Sequence, residues 1–299
     1  MSILVTGSSG FIGNRFIELL KKRNLSFKTI GRNKKDDFYG DFEKDSLPLN
    51  AFEGVDSIVH IAGYAHDIKN TEENKKRHDQ INFKATENLI KKADSSGVKK
   101  FIFISSVKAG GTQKINGMIT EESIDFNEMP YSMAKRKSEE FLINFKSKNN
   151  IEKIIIRPSL VYGKNMKGNL NLMMKFIKMG FFPPLPDLDT RKALVHVDDV
   201  ARAILFVSQT QNLNNEIFCL TDGNLYTPRD IYKELSISVG KSPKNWQIPY
   251  YVFKTISYLP FLKSTIKKIF EDEPYSSAKI QSLGYKPHLE LKQINEKAF

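Results

Sequence analysis

The chain has 299 residues, about twice the ~150 residues of a typical domain, so it is long enough for one large unit or two interleaved ones. One cysteine, Cys219, and five histidines exclude a disulfide framework and a Cys-rich zinc site, and we expect no bound metal. The net charge of +12 favours anionic partners, but the lysines are scattered and no nucleic-acid-binding signature is present, so nucleic acid is not an expected partner.

Short apolar runs alternate with helical patterns through the first half of the chain. This alternation is typical of βαβ units and predicts an α/β fold with a doubly wound parallel sheet of the Rossmann type. The runs are apolar throughout, which indicates strands buried on both faces. The predicted strands are 3–5, 27–30, 57–61, 100–105 and 153–157, and the predicted helices are 11–23, 78–95 and 131–148.

The pattern changes after Gly163, where glycine, asparagine and proline interrupt the alternation. We therefore predict a dinucleotide-binding domain over 1–163 and a smaller α/β substrate domain over 164–299, with 193–221 packing back on the first. The pattern over 250–270 predicts two packed amphipathic helices separated by a break at Pro260. Contact of this segment with a membrane surface is the less favoured alternative. We expect no signal peptide, no membrane span and a cytoplasmic location.

A glycine-rich turn follows the first predicted strand and opens the first helix. Gly7 permits a tight turn, Gly10 lets backbone amides approach a diphosphate, and Gly13 allows close packing of helix on strand. The helix N-terminus adds unpaired N–H groups and a positive dipole end. This setting predicts a dinucleotide site made by Gly7, Ser8, Ser9, Gly10, Phe11, Ile12 and Gly13.

The end of the second predicted strand separates NAD from NADP, because NAD-binding proteins usually place an acid there. Here Arg32 stands at the tip, with Lys34 and Lys35 nearby, and these cations suit a 2′-phosphate. The sequence therefore favours NADP(H) over NAD(H), although Asp36 is close enough in sequence to reach the ribose. Asp41 and Phe42 are expected to border the adenine.

Tyr131 and Lys135 are four residues apart on a predicted helix, so their side chains face the same way. An ammonium about 6 Å from a phenol favours the phenolate by roughly 2.8 kcal/mol. We therefore expect a pKa for Tyr131 below its ordinary value near about 10, which would suit proton exchange with an alcohol or ketone. Nearby, the strand 100–105 ends in Ser105 and Ser106.

Taken together, these motifs resemble the extended short-chain dehydrogenase/reductase family of nucleotide-sugar enzymes. The resemblance runs from the glycine turn through the strand 59–62, Asn82, the segment 157–163 and the segment 194–200 to residues 282–287. It implies that Tyr131 is the acid/base and that Lys135 lowers its pKa and holds the nicotinamide ribose. It also implies that Ser106, rather than Ser105, holds the reacting oxygen. Further cofactor contacts are implied at Ile61, Ala62, Gly63 and Asn82.

Members of this family act mostly at C4 of nucleotide-diphosphate sugars, so the resemblance implies a UDP-sugar substrate and a homodimer built on the helices 78–95 and 131–148. Arg191 or Lys192 matches the family's phosphate-binding position, with a register uncertain by one residue. His60 and His196 are interpreted as core histidines. The implied substrate contacts are His66, Lys108, Asn169, Arg191 and Lys192.

Some activities of this family need side chains that the sequence lacks at the expected positions. No acid pair follows Ser106, which disfavours a dehydratase, and Cys219 lies in a late strand, which disfavours a 3,5-epimerase. The sequence favours an NADP(H)-dependent 4-keto reductase in surface polysaccharide precursor synthesis. The alternatives are an NAD-dependent UDP-hexose 4-epimerase and a non-catalytic dinucleotide sensor, for which a broken Tyr131 and Lys135 pair would be expected.

Overall fold

Residues 1–44, 46–65 and 71–293 are described by a computed structural model, and within them the chain forms a seven-stranded parallel sheet and a separate three-stranded sheet. The strands, in chain order, are β1 (Ser2–Thr6), β2 (Ser26–Gly31), β3 (Phe38–Tyr39), β4 (Ser57–His60), β5 (Lys100–Ile104), β6 (Glu152–Pro158), β7 (Leu160–Tyr162), β8 (Lys192–His196), β9 (Glu216–Leu220) and β10 (Leu225–Tyr226).

The large sheet has the order β3-β2-β1-β4-β5-β6-β9, and every neighbouring pair is parallel. Its first six strands follow the Rossmann order, with β9 added at the β6 edge. The central strands β4 and β5 are buried at every residue, as parallel strands covered on both faces must be. The predicted doubly wound parallel sheet is confirmed.

Helices cover both faces of this sheet. One core cluster lies under α1 and α6, and a second lies under α3 and α4. The helices in the described ranges are α1 (Phe11–Lys22), α2 (Glu72–His78), α3 (Ala85–Ser95), α4 (Pro130–Asn144), α5 (Asn169–Met179), α6 (Val197–Gln209), α7 (Pro228–Ser238), α8 (Tyr250–Ile256), α9 (Pro260–Phe270) and α10 (Ala278–Ser282).

Two predicted helices have different ends in the structure. The helix expected over 78–95 starts at Glu72, where the Thr71 side chain caps it, and it contains a π-helical segment, Asp79–Lys84. The helix expected over 131–148 stops at Asn144, because residues 147–149 turn back to bond the Asp94 carboxylate.

The second half of the chain divides between the two sheets. β8 lies in the small sheet with the order β10-β8-β7, whereas β9 joins the large sheet beside β6 and α6 packs on α1. A third core cluster fills the C-terminal lobe and joins α5, α7, α8 and α9. The predicted boundary near residue 163 stays a prediction.

Candidate active site

The glycine turn between β1 and α1 packs backbone against backbone at the carboxyl end of the sheet. Gly7 has φ +71°, and a Cβ there would lie 2.6 Å from Ala62 N. A Cβ on Gly13 would lie 2.0 Å from Gly7 O, so the helix can approach the turn only without a side chain. The turn therefore leaves the first amides of α1 open to an anionic ligand.

A cavity of about 640 Å³ runs over this turn, and we call it the glycine-loop groove. Two of the predicted turn residues do not line it: Ser8 donates its hydroxyl to Asp36, and Gly13 faces the turn. Asp36, Glu43 and Lys167 join its walls. The predicted residues that line the groove are Gly7, Ser9, Gly10, Phe11, Ile12, Arg32, Asp41, Phe42, Ile61, Ala62 and Gly63.

A positively charged and a negatively charged side chain lie where the groove passes the end of β2. Arg32 is exposed there, as the sequence predicted. Asp36 lies beside it, and its carboxylate accepts from Asn33 N at 3.1 Å and from Ser8. A Cβ on Gly31 would lie 2.6 Å from Asp36 Oδ2, so glycine lets this carboxylate approach the strand. The groove therefore offers a carboxylate for ribose hydroxyls and a cation for a phosphate.

The fold brings Tyr131 close to Ser106, although the two residues are far apart in the sequence. Pro130 starts α4 at its first position, where its missing N–H costs nothing, and Tyr131 follows in the first turn. The Ser106 hydroxyl lies near the Tyr131 phenol and favours its ionised form. Ser105, by contrast, points its hydroxyl into the interior, where it has no bonding partner among the described residues.

Lys135 is buried on α4 and donates from Nζ to Ile104 O at 2.8 Å. Burial lowers the pKa of Lys135 to about 8. Burial also raises the pKa of Tyr131 to about 12, and the nearby Ser106 hydroxyl opposes this only in part. The predicted lowering of the Tyr131 pKa is therefore wrong for the protein by itself, because desolvation of the phenol dominates and the Glu139 carboxylate adds to it.

Asn82 holds the turn after β4 against α4. It lies in the π-helical segment, and its amide accepts from Tyr64 N at 2.7 Å and donates to Tyr64 O at 2.9 Å. A Cβ on Gly63 would lie 3.0 Å from Asn82 Oδ1 and 3.5 Å from Lys135 Nζ. His78, which the sequence did not single out, bonds Asn82 and packs its ring 5.9 Å from that of Tyr131.

A second cavity of about 490 Å³, which we call the apolar pocket, adjoins the groove at Val161. Its walls come from α5, α7, α9 and the loops around them, and most are apolar. Arg191 lies outside these walls and pairs with Asp189 at 2.8 Å, so of the two candidates only Lys192 lines the pocket. His66 lies outside the described residues. The predicted residues that line this pocket are Ser106, Lys108, Asn169 and Lys192.

A charged cluster sits in the wall of the apolar pocket. Glu273 pairs with Lys108 and, at 3.1 Å, with Lys192, while Glu271 lies 3.6 Å from Lys108. Burial by itself would raise the pKa of Glu273, yet the two lysines outweigh it and hold that pKa below its ordinary value. Neither acid was predicted from the sequence. The acidic triplet 271–273 directly after an apolar helix was the one local signal for them.

α4 is fixed to the sheet by a buried ion pair. Arg157 on β6 donates to both carboxylate oxygens of Glu139 on α4, at 3.1, 3.1 and 2.6 Å. Such a fork geometry fixes orientation as well as distance. Arg157 therefore sets the position of the helix that carries Tyr131.

The two suspected core histidines are bonded within the protein. His60 contacts Thr6 Oγ1 at 2.8 Å and Thr86 Oγ1 at 3.1 Å, and burial lowers its pKa to about 3. His196 caps α6 by accepting from Asp198 N at 3.2 Å. Burial also lowers the pKa of His196. Both rings are therefore neutral at physiological pH and are hydrogen-bonded within the core.

Comparison with known proteins identifies the family. The sequence profile of the NAD dependent epimerase/dehydratase family matches residues 3–220 of this chain. The chain belongs to this family. The predicted family is thereby confirmed, together with its enzymatic class, and the expected dinucleotide is a nicotinamide one.

One curated relative of this family member is a UDP-glucose 4-epimerase of Vibrio cholerae, which is 31% identical over 261 residues, 83% of this chain and 78% of that protein. MoeE5 in complex with UDP-glucuronic acid and NAD superimposes with a TM-score of 0.77 at 17% identity, covering 98% of this chain and 96% of that one. RMD from Pseudomonas aeruginosa complexed with NADPH gives 0.73 at 18% identity, with coverage of 98% and 96%. At these identities the two structures establish the fold.

Two features are absent from the described residues. In that part of the chain no three His, Cys, Asp or Glu side chains are grouped so that they could bind a metal ion. Among the same residues, no helix combines the length and apolar character needed to cross a bilayer.

Proposed function

We propose that this chain reduces the 4-keto group of a UDP-linked sugar, with NADPH bound in the glycine-loop groove and the sugar in the apolar pocket. The observation that carries the proposal is the pairing of Tyr131 with Ser106. Ser106 lines the apolar pocket, and Lys135, on the same helix as Tyr131, borders Gly63 in the wall of the groove. A hydride donor on one side and a ketone on the other would meet at this pair.

The protein supplies the proton and the orientation. With a pKa near about 12, Tyr131 is a neutral phenol at pH 7, which is the form that can protonate an alkoxide forming at C4. The Ser106 hydroxyl is placed to hold the same oxygen. A reduced nicotinamide supplies the hydride when bound. Lys135 and Asn82 border Gly63 at the inner end of the groove, where the nicotinamide ribose would lie.

The preference for NADPH rests on Arg32. Its guanidinium is exposed at the tip of β2 on the rim of the groove, where the 2′-phosphate of NADPH would lie. The Asp36 carboxylate already accepts hydrogen bonds from Ser8 and from Asn33 N, so fewer of its lone pairs are left for a ribose hydroxyl.

A second candidate is an NAD-dependent 4-epimerase of UDP-hexoses, and two observations favour it. The Vibrio cholerae relative is a UDP-glucose 4-epimerase. Asp36 also stands where an acid would bond the adenosine ribose, and Asp41 and Glu43 add negative charge to the same walls.

The two candidates differ in what happens to the cofactor. Purified protein is mixed with NADPH or NADH and a UDP-4-keto-6-deoxy-HexNAc, and the absorbance of the reduced nicotinamide is followed. A reductase consumes NADPH with the sugar. If the absorbance stays constant while UDP-glucose and UDP-galactose, or their N-acetyl forms, interconvert, the epimerase replaces the reductase.

The cofactor preference has its own test. We expect Arg32→Ser to weaken NADPH binding by at least about tenfold, the loss of one charge-assisted contact, and to leave NADH binding nearly unchanged. Lys34→Ser, which removes an exposed cation beyond the groove, is the matched control. Equal losses for both cofactors would remove Arg32 from phosphate recognition.

The setting is proposed with the activity. We infer a cytoplasmic enzyme of surface polysaccharide precursor synthesis, acting as a homodimer through the exposed sides of α2 and α4. A groove between these helices carries lysines and an arginine beside two acids, a mixed surface suited to self-association. Sedimentation of the purified protein over a range of concentrations tests the dimer.

A further inference from the structure

Positive charge is concentrated in two segments of the C-terminal lobe. Residues 163–186 and 240–270 contain ten lysines and no Asp, Glu or Arg, so these 55 residues hold ten of the twelve net charges of the chain. All ten lysines are exposed. The exposed lysines of these two segments therefore attract an anionic surface.

Large apolar and aromatic side chains are exposed among these lysines. Phe181 is 78% exposed and Tyr258 79%, and Tyr251 and Trp246 also face solvent. We call this surface the basic aromatic face. It consists of Lys175, Lys178, Met179, Phe181, Lys244, Trp246, Tyr251, Lys254, Tyr258, Lys263 and Lys267.

The two segments belong to one packed lobe. The inner faces of α5, α8 and α9 share one core cluster. Ile248 N donates to Pro184 O at 3.1 Å, and Asp187 N donates to Gln247 Oε1 at 2.7 Å, so the strand-like segment after α5 lies against the chain that leads into α8. The exposed residues are therefore held on a fixed scaffold.

The same lobe forms the entrance to the apolar pocket. Leu172, Phe176 and Met179 form an exposed apolar stripe along α5, and the first two also line the pocket. On the other side, Leu262 and Lys268 of α9 line it. An apolar path thus leads from the surface of the lobe toward Ser106.

We propose that the basic aromatic face binds the surface of anionic phospholipid bilayers. Exposed lysines near such a surface each contribute about 1 kcal/mol, and aromatic rings insert at the level of the headgroups. The face combines both, and no acid in its two segments opposes them. Docked in this way, the protein would direct the mouth of the apolar pocket at the membrane.

The pairing of charge with apolar groups distinguishes a bilayer from the other candidates. A single-stranded RNA would use the same lysines and aromatic rings, but it would leave the exposed aliphatic side chains Met179 and Leu172 beside them without a partner, whereas a bilayer can cover both kinds of side chain. A second copy of this chain would bring ten further lysines against the first ten, a like-charge contact that is unfavourable.

Vesicle co-sedimentation tests the proposal on the full-length protein. The probes are two kinds of vesicle. One is pure phosphatidylcholine, and the other contains about 30% phosphatidylglycerol to imitate an anionic membrane. We expect binding to the anionic vesicles only. Lys254→Glu/Lys263→Glu/Lys267→Glu should weaken it by at least about 100-fold, and Phe181→Ser/Tyr258→Ser by about tenfold.

A charge-matched control separates the face from the net charge. Lys21→Glu/Lys22→Glu/Lys99→Glu reverses three exposed lysines elsewhere and should keep wild-type vesicle binding. NADPH titration of each variant checks that the fold is intact. The proposal would be overturned by an equal loss of binding in the control or by no binding to anionic vesicles. It would also be overturned if Phe181→Ser/Tyr258→Ser did not weaken vesicle binding and RNA competed fully with the vesicles.

Discussion

The glycine-loop groove and the apolar pocket meet at Val161 but are built in different ways. The groove is formed largely by backbone at the tips of adjacent parallel strands, and its shape depends on glycines that no side chain can replace. The pocket is formed by side chains that are far apart in the sequence, such as Lys108 and Glu273, which are 165 residues apart. Its shape depends on tertiary packing and on charges that neutralise one another.

This difference sets how each cavity responds to substitution. A change in the groove acts through steric overlap in one short turn, so it should affect dinucleotide binding first. A change in the pocket leaves a charge without its partner in a half-buried wall, so it should affect stability and substrate binding together. In the proposed function Tyr131 acts on the ligands of both cavities.

The largest expected effect is on turnover by Tyr131→Phe. The substitution removes the proton donor but keeps the ring that packs against His78. We expect kcat to fall by about 10²–10⁴-fold while NADPH affinity changes little, because the groove is untouched. Stopped-flow kinetics and a cofactor titration measure the two.

Tyr258→Phe, an exposed tyrosine far from the pair, is the control for the loss of a phenol hydroxyl. Retention of full turnover by Tyr131→Phe would mean that a group other than Tyr131 donates the proton.

The groove could be predicted from sequence because its determinants are local. The spacing of Gly7, Gly10 and Gly13 encodes a turn whose form hardly depends on the rest of the fold. Tyr131 and Lys135 were found for the same reason, since four residues on a helix share a face. What the spacing could not show is that Lys135 Nζ would bond Ile104 O and that burial would dominate the phenol.

The pocket could be predicted only in part. Whether Arg191 or Lys192 faces inward depends on where β8 begins, because a shift of one residue exchanges the two faces of a strand. The pairing of Glu273 with Lys108 depends on tertiary structure and has no periodic signature. The family resemblance nevertheless placed Lys108 and Asn169 in the pocket walls.

The second largest effect is expected for Glu273→Gln. The substitution leaves Lys108 and Lys192 together in the pocket wall with their common acid removed. We expect the free energy of unfolding to fall by about 3 kcal/mol and the KM for the sugar to rise, with NADPH affinity unchanged. Urea denaturation and steady-state kinetics provide the measurements.

Glu271→Gln is the matched control, because Glu271 lies farther from Lys108 and is more exposed, so its loss should cost less than about 1 kcal/mol. An equal loss of stability in the two variants would show that the net negative charge near the lysines matters, and not the particular contacts of Glu273.

A smaller effect on stability, but a selective one on the groove, is expected for Gly13→Ala. The new methyl would lie 2.0 Å from Gly7 O, and the turn must shift to admit it. We expect a loss of about 1–3 kcal/mol in stability and at least about tenfold in NADPH affinity.

Gly10→Ala is the comparison within the same turn, because its methyl would lie 3.2 Å from the same oxygen. It should weaken NADPH binding less than Gly13→Ala does. The reverse order, measured by fluorescence titration, would mean that the turn is not held by the contact of helix with strand.

The smallest expected effect concerns the core behind the apolar pocket. Asp222 accepts from Tyr226 Oη at 2.8 Å, and burial raises the pKa of Asp222 to about 6. Between about pH 4 and 6 the folded protein therefore binds a proton that the unfolded chain has released, so stability falls as the pH rises. The loss should amount to about 1–2 kcal/mol from pH 4.5 to 6.5. Asp222→Asn should remove this dependence and the exposed Asp187→Asn should keep it, so an unchanged slope in Asp222→Asn would assign the titration to another group.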